Sequence, residues 1–263
     1  MGQKVNPSLF NKQILIPGKW SLISDKEYPL LFKNQYEIET HIRTLFEGNK
    51  LLVKDCFFLS GSSHHKPTLF LSFFPLSSSK SLVSFNLNKN SLNKRLISFF
   101  SFLSIRTDFR FIFVNLSKVS RVYLKRKKNS INTFSLRFFR NDPFYESGLT
   151  LATLLFVQKD LSPILASYVS FYFKLLLKTR KLSRFLNFVN SIITLVVLSK
   201  GTSVKGIKIQ IKGRLNGAPR TKTRVIEAGN LSTQSVSCLS SYHYIPIHTS
   251  LGSFSLKTWI SYF

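Results

Sequence analysis

KGIKIQIKGRLNGA, Lys205 to Ala218, is the stretch on which the fold turns. Ile207, Ile209 and Ile211 alternate strictly with Lys208, Gln210 and Lys212, and a period of two makes a strand with one apolar and one basic face. Gly213 and Gly217 flank Arg214 and permit tight backbone geometry there. Arg220, Lys222 and Arg224 carry the cationic spacing onward, so seven Lys or Arg and no carboxylate lie between Lys205 and Arg224. A solvated strand face mixes both signs of charge. One sign alone predicts a sheet that faces phosphates.

A half-apolar sheet needs something to cover it, and the preceding residues supply it. Residues 146 to 199 are helical in pattern and unusually apolar, interrupted at Pro163. Their longest apolar runs, Leu161 to Phe173 and Phe185 to Leu198, are bounded by Lys174 and Arg184 and fall short of the ~18 residues a membrane helix needs. They are expected to be buried helices packed on the sheet, with no membrane insertion. The cations Lys174, Lys178, Arg180, Lys181 and Arg184 cluster between them.

Further upstream, residues 120 to 142 contain Arg121, Lys125, Arg126, Lys127 and Lys128 with no acidic residue before Asp142, the pattern of an arm that orders against RNA. Leu51 to Leu59 and Thr68 to Phe74 are short, aromatic and β-prone, joined by the turn GSSHHKP, and read as a β-hairpin. A helix over about Ser91 to Leu103 and a strand from Phe109 to Leu116 complete a β-β-α-β order. Residues 20 to 47 place Ile38, Ile42 and Leu45 on one stripe, so one or two short helices are expected there. The fold class is α/β of the α+β kind. Its divisions are an N-terminal tail and helices (1–50), a β-β-α-β domain (51–119), a basic arm (120–145) and a helix-on-sheet domain with a basic strand face (146–263).

Charge sets the partner. The 263 residues carry 38 Lys and Arg against 11 Asp and Glu, a net charge of +27, while a 44% hydrophobic content excludes a wholly disordered tail. Nucleic acid is the partner such a balance fits best, because each phosphate contact releases condensed counterions; an anionic membrane surface is the competitor. The 26 Phe, with abundant Leu, Ser, Lys, Asn and Ile, are residues of A- and T-rich codons and point to an organelle-encoded gene. The opening MGQKVNPSLF has neither a signal-peptide nor a transit-peptide pattern, so the chain is expected to be made where it works.

Catalysis finds no support. The 11 carboxylates are scattered, and no HExxH, P-loop, GxSxG or paired-carboxylate pattern is present. Cys56 and Cys238 lie far apart without a CxxC, and His64 and His65 are adjacent and project oppositely in an extended chain, so neither a metal nor a cofactor is expected. Trp259 and Tyr262 could stack on bases, but in the strand pattern Trp259 reads as core or interface. A membrane-associated organellar protein would need longer apolar runs, and an intron-encoded RNA-processing enzyme would need an acidic metal motif such as Tyr-x-Asp-Asp.

KGIKIQIKGRLNGA, followed by Thr223, Gly229, Tyr242, Thr249, Gly252 and KTWI (Lys257 to Ile260), resembles the C-terminal domain of the S-three family of small-ribosomal-subunit proteins. Met1 to Pro7, MGQKVNP, resembles that family's opening, and Trp20 and Lys26 to Tyr28 its early segment. The family carries a KH domain in the middle, whose GxxG loop lets RNA backbone approach a helix N-terminus. Residues 51 to 145 contain no GxxG, and Asn88 to Ser91 (NKNS) stands at its place, so the resemblance implies a degenerate KH-like domain with reduced clamping.

The resemblance further implies a scaffold in the head of the small subunit, with rRNA, mRNA at the channel by which it enters, and neighbouring head proteins as partners. Lys4, Lys205, Lys208, Lys212, Arg214, Arg220, Lys222 and Arg224, with Arg121, Lys125, Arg126, Lys127 and Lys128, are the expected rRNA contacts. Lys178, Arg180, Lys181 and Arg184 are the expected mRNA-facing cluster. Divergence of the middle segment favours a mitochondrial ribosome in the matrix over a plastid one.

Overall fold

Ile42 and Phe46, four residues apart on one helix face, are respectively 0% and 2% exposed and show what the N-terminal pattern builds. The computed structural model describes residue 7 and residues 28–48, 50–59, 68–76, 110–115, 133–177, 181–199, 202–215, 218–233, 235 and 238–263. The chain divides into two compact units, residues 16–116 and residues 1–15 with 117–263.

In the first unit the helix α1 (Tyr28–Gly48) packs against β1 (Leu51–Leu59). The Phe46 ring meets Phe73 edge-on at 5.7 Å. β1 runs antiparallel to β2 (Thr68–Pro75), from Leu51↔Pro75 to Leu59↔Thr68, with a bulge between Val53 and Asp55. The expected hairpin strands are therefore present. β2 pairs in parallel with β3 (Arg110–Asn115), so the sheet is mixed, in the order β1-β2-β3. Parallel neighbours require a crossover connection. The helix expected near Ser91 to Leu103 and the Asn88 to Ser91 loop lie outside the described residues.

The second unit is built from α2 (Tyr145–Val157), α3 (Ser162–Leu176), α4 (Leu182–Leu198), β4 (Val204–Gly213), β5 (Lys222–Gly229), β6 (Ser240–Thr249) and β7 (Gly252–Tyr262). Its four strands are antiparallel in the order β5-β4-β7-β6. α3 lies against β6 and β7, α4 against β4 and β5, and α2 packs on α4. Pro163 stands in the first turn of α3, where its missing N–H loses no helical bond.

Helices settle on the face the isoleucines make. Ile207, Ile209 and Ile211 are all 0% exposed, as are Leu256 and Ile260 opposite them on β7. Each side chain so buried contributes about 1.5–3 kcal/mol. Phe173 of α3 meets Phe254 of β7 at 5.0 Å, and Thr258 Oγ1 lies 3.3 Å from both the Ser162 and His243 carbonyls, to which it can donate. A buried polar set fixes the start of α2: Tyr168 Oη donates to Phe144 O at 2.9 Å, and Tyr172 Oη and Ser147 Oγ share a bond of 2.9 Å. Burial, with Tyr172 nearby, pushes the Tyr168 phenol well above its ordinary value of 10.0. Trp259 is 2% exposed, as the core reading expects.

The architecture is α+β: mixed helices and two sheets, with helices layered on one face of the C-terminal sheet.

Candidate nucleic-acid interface

Register decides where each cation of the C-terminal hairpin points. β4 and β5 pair Ile207↔Ala228, Ile209↔Ile226, Ile211↔Arg224 and Gly213↔Lys222, odd-numbered with even-numbered residues throughout. Directly opposed residues share a face. Lys208 and Lys212 therefore stand on the sheet face away from the helices, while Lys222 and Arg224 stand on the helix-bearing side. Arg224 confirms this by donating from Nη2 to Asn187 Oδ1 of α4 at 3.3 Å. A single basic face running through all seven cations, expected from spacing alone, does not form, because an even spacing carried around this hairpin changes faces.

What the faces separate, the hairpin end brings together. Lys212, Arg214, Arg220, Lys222 and Arg224 are all exposed, and Gly213↔Lys222 is the last pair of the ladder. Arg214 is anchored there by donating from Nε to Ala218 O at 3.0 Å. At the other end Lys205 is half-buried, and Lys208 is half-buried with its ammonium paired to the Glu227 carboxylate at 2.5 Å. No carboxylate occurs in the sequence from residue 161 to residue 226. The exposed end is thus a cation group whose charge is left for an outside anion, whereas Lys208 is already in part neutralised.

On the face away from the helices, Lys257 of β7 pairs with Gln210 and with Tyr244 of β6, and Tyr244 is 47% exposed. The Tyr242 and Trp259 rings meet at 5.4 Å, tilted by 46°, on the same side, and partial burial raises the Tyr242 phenol. Lys257 was not among the cations expected to bind; its place beside Lys208 and Lys212 follows from the β4–β7 register, which a single strand pattern does not disclose.

A second basic group forms at the start of α4. Lys181 is exposed immediately before the helix, and Arg184 turns back onto the 3-10 helix Thr133–Phe139. Arg184 Nη2 donates to Phe138 O at 3.1 Å, and Nε lies 2.9 Å from Asp142 Oδ2. That last contact is an ion pair off the hydrogen-bond line, since neither atom has a properly directed partner. The Arg184 guanidinium also lies over the Phe138 and Phe139 rings at 4.9 and 5.9 Å. Arg137 and Arg140 are exposed beside it. Arg184 is consequently committed within the chain, unlike Lys181. Lys4, Arg121, Lys125, Arg126, Lys127, Lys128, Lys178 and Arg180, with His64 and His65, lie outside the described residues.

Among the described residues no group of His, Cys, Asp or Glu is arranged to hold a metal ion, and no helix is long and apolar enough to cross a membrane.

No family model matches the chain. It is 42% identical over 65 residues to the small ribosomal subunit protein uS3c of Anthoceros angustus, covering 25% of this chain and 30% of the relative. Over that segment the chain is similar to the uS3 family of small ribosomal subunit proteins. The uS3c of Chara vulgaris matches with the same identity and coverage, and that of Sorghum bicolor is 34% identical over 97 residues, 37% of this chain and 39% of the relative. The chain thus spans 30% to 39% of the length of these uS3 relatives. They are ribosomal proteins rather than enzymes, in keeping with the scattered carboxylates. They also overturn the expected compartment: uS3c is the chloroplast form, which points to a plastid and not a mitochondrion. The codon signature is common to both organelles, and divergence of the middle segment, on which the mitochondrial expectation rested, does not tell one from the other.

Proposed function

We propose that the chain is a structural constituent of the small subunit of a plastid ribosome, holding rRNA in the subunit head. The observation that carries this is the exposed, carboxylate-free cation group at the β4–β5 hairpin end, Lys212, Arg214, Arg220, Lys222 and Arg224. Mechanistically these side chains take the place of counterions along the phosphate backbone, and the release of those ions drives binding without reading bases. Lys205 and Lys208 add weaker contacts at the other end of the ladder. Lys4, and separately the run Arg121, Lys125, Arg126, Lys127 and Lys128, add further rRNA contacts.

Lys178, Arg180 and Lys181 face the channel by which mRNA enters, and Arg184, held at the start of α4 by Asp142 and the Phe138 carbonyl, completes the cluster. Residues 51–119 form a degenerate KH-like domain whose clamp on single strands is weakened by the bulkier Asn88 to Ser91 loop. Neighbouring head proteins complete the surroundings, and no cofactor takes part.

Sedimentation of plastid lysate through a sucrose gradient, with the chain followed by mass spectrometry, tests this reading. Co-migration with the small subunit that is lost on RNase treatment is expected. Recovery in the membrane pellet whether or not RNase is added would overturn it.

A further inference from the structure

Phe138 is 75% exposed, at the corner where the 3-10 helix Thr133–Phe139 meets the start of α4. An isolated exposed aromatic needs no explanation. This one is mounted. Its neighbour Phe139 is 7% exposed and meets Phe138 edge-on at 5.4 Å and Phe188 of α4 at 5.2 Å, so the pair is fixed to the core by its inner ring. Arg184 covers one face of Phe138 with its guanidinium 4.9 Å from the ring centroid. That guanidinium is itself held by the Phe138 carbonyl at 3.1 Å and by the Asp142 carboxylate at 2.9 Å. One face of the ring is thus occupied by a fixed cation and the other is left to solvent; Arg140, two residues after Phe138, and Lys181, three residues before Arg184, are both exposed.

We propose that Phe138 is the stacking face of a single-stranded RNA site: one unpaired nucleobase lies on the open side of the ring, and Arg140 and Lys181 take the adjoining phosphates. The inference rests on the RNA reading above and goes beyond it, since phosphate neutralisation alone does not need an aromatic. A base presents a flat π-face whatever its identity, and such stacking is tolerant of sequence. A paired strand keeps its base faces covered by neighbours, so this corner takes an unpaired nucleotide and not a duplex. An acidic peptide would satisfy the cations but leave the ring unused. Fixing the ring beforehand matters, because an aromatic already held by Phe139 and Arg184 loses little freedom on binding.

The test uses the full chain with a short single-stranded RNA carrying one 2-aminopurine, and the same sequence annealed as a duplex. Phe138→Leu is expected to weaken single-strand binding about fivefold to tenfold, in the range of one lost base stack. It should also abolish the quenching of 2-aminopurine, with duplex binding unchanged. Phe138→Trp should keep both the affinity and the quenching. Equal single-strand affinity for the wild-type chain and Phe138→Leu, or an equal loss for both RNAs, overturns the stacking site and leaves the rRNA reading standing. Failure of the wild-type chain to bind either RNA overturns the RNA reading and the stacking site with it. In the assembled subunit, a photo-crosslinking residue placed at position 138 should attach to RNA, and sequencing the attached nucleotide assigns it to ribosomal or messenger RNA. A crosslink to protein alone overturns the proposal.

Discussion

Asp142 keeps 7% of its side chain exposed and has Arg184 at 2.9 Å, with 41% of the arginine side chain exposed. Removing one partner of a buried pair costs about 3–5 kcal/mol, because the other charge is left without compensation. Arg184 reaches solvent over much of its length, which screens the pair and lowers the expected loss to about 1–3 kcal/mol for Arg184→Met. With a urea dependence of about 1–3 kcal/mol per molar, the denaturation midpoint of the full chain should fall by roughly 1 M. Adding Asp142→Asn, which removes the stranded charge, should restore much of that loss. A midpoint that does not move in Arg184→Met would mean that the aromatic rings, and not the carboxylate, hold the corner. None of this was legible in the sequence. Arg184 stands in a cationic run, and a residue 42 positions earlier (Asp142) gives no local signal of pairing with it.

At the scale of elements, the β4–β5 ladder is closed at its inner end by two glycines facing each other, Gly206↔Gly229. A Cβ on Gly206 would lie 2.5 Å from Asn230 O and 2.9 Å from its carbonyl carbon, backbone atoms that cannot swing aside. Gly229 has φ +77, a left-handed conformation that costs an ordinary residue about 1–2 kcal/mol, and a Cβ there would meet Lys205 O. Gly206→Ala and Gly229→Ala should each destabilise the chain by about 1–3 kcal/mol. At about 2–4 °C per kcal/mol in a domain of this size, each should lower Tm by about 2–12 °C in a thermal melt. Gly252, with φ +120 but open space around it, should lose less on Gly252→Ala because strain is its only penalty.

The strand β4 was readable because a period of two along one segment reports that segment's own faces, and Ile207, Ile209 and Ile211 are buried as the pattern requires. The facing of Lys222 and Arg224 was not readable, because it depends on the pairing register across the turn. Likewise the apolar run 146–199 gave helices, but their separate packing, α2 on α4, α3 on β6 and β7, and α4 on β4 and β5, is a tertiary choice that the run does not encode. Pro163 marked the neighbourhood of the break between α2 and α3. The hairpin β1–β2 followed its pattern closely, whereas the parallel pairing of β3 is a long-range choice that no local period encodes.

Over the whole molecule, the +27 charge is unevenly placed. Residues 16–116 carry 13 Lys and Arg against seven carboxylates, a net of +6, and the remaining residues carry 25 against four, a net of +21. The anionic partner is therefore expected on the second unit, and within it at the hairpin end, where cations are exposed and unscreened by carboxylates. Salt dependence measures this directly, since each phosphate contact contributes about 0.7–0.9 to the slope of log K against log salt. With a fragment of small-subunit rRNA, Lys212→Ala/Lys222→Ala should lower that slope by about 1.4–1.8. Lys205→Ala/Lys208→Ala should lower it by less than half as much, because Lys205 is half-buried and Lys208 already shares its charge with Glu227. The two cations of the first pair stand on opposite faces of the sheet, so a full effect from both requires RNA to wrap the end of the hairpin. Equal effects from the two pairs would instead spread the interface along the ladder, and a slope unchanged by Lys212→Ala/Lys222→Ala would remove the hairpin end from the interface.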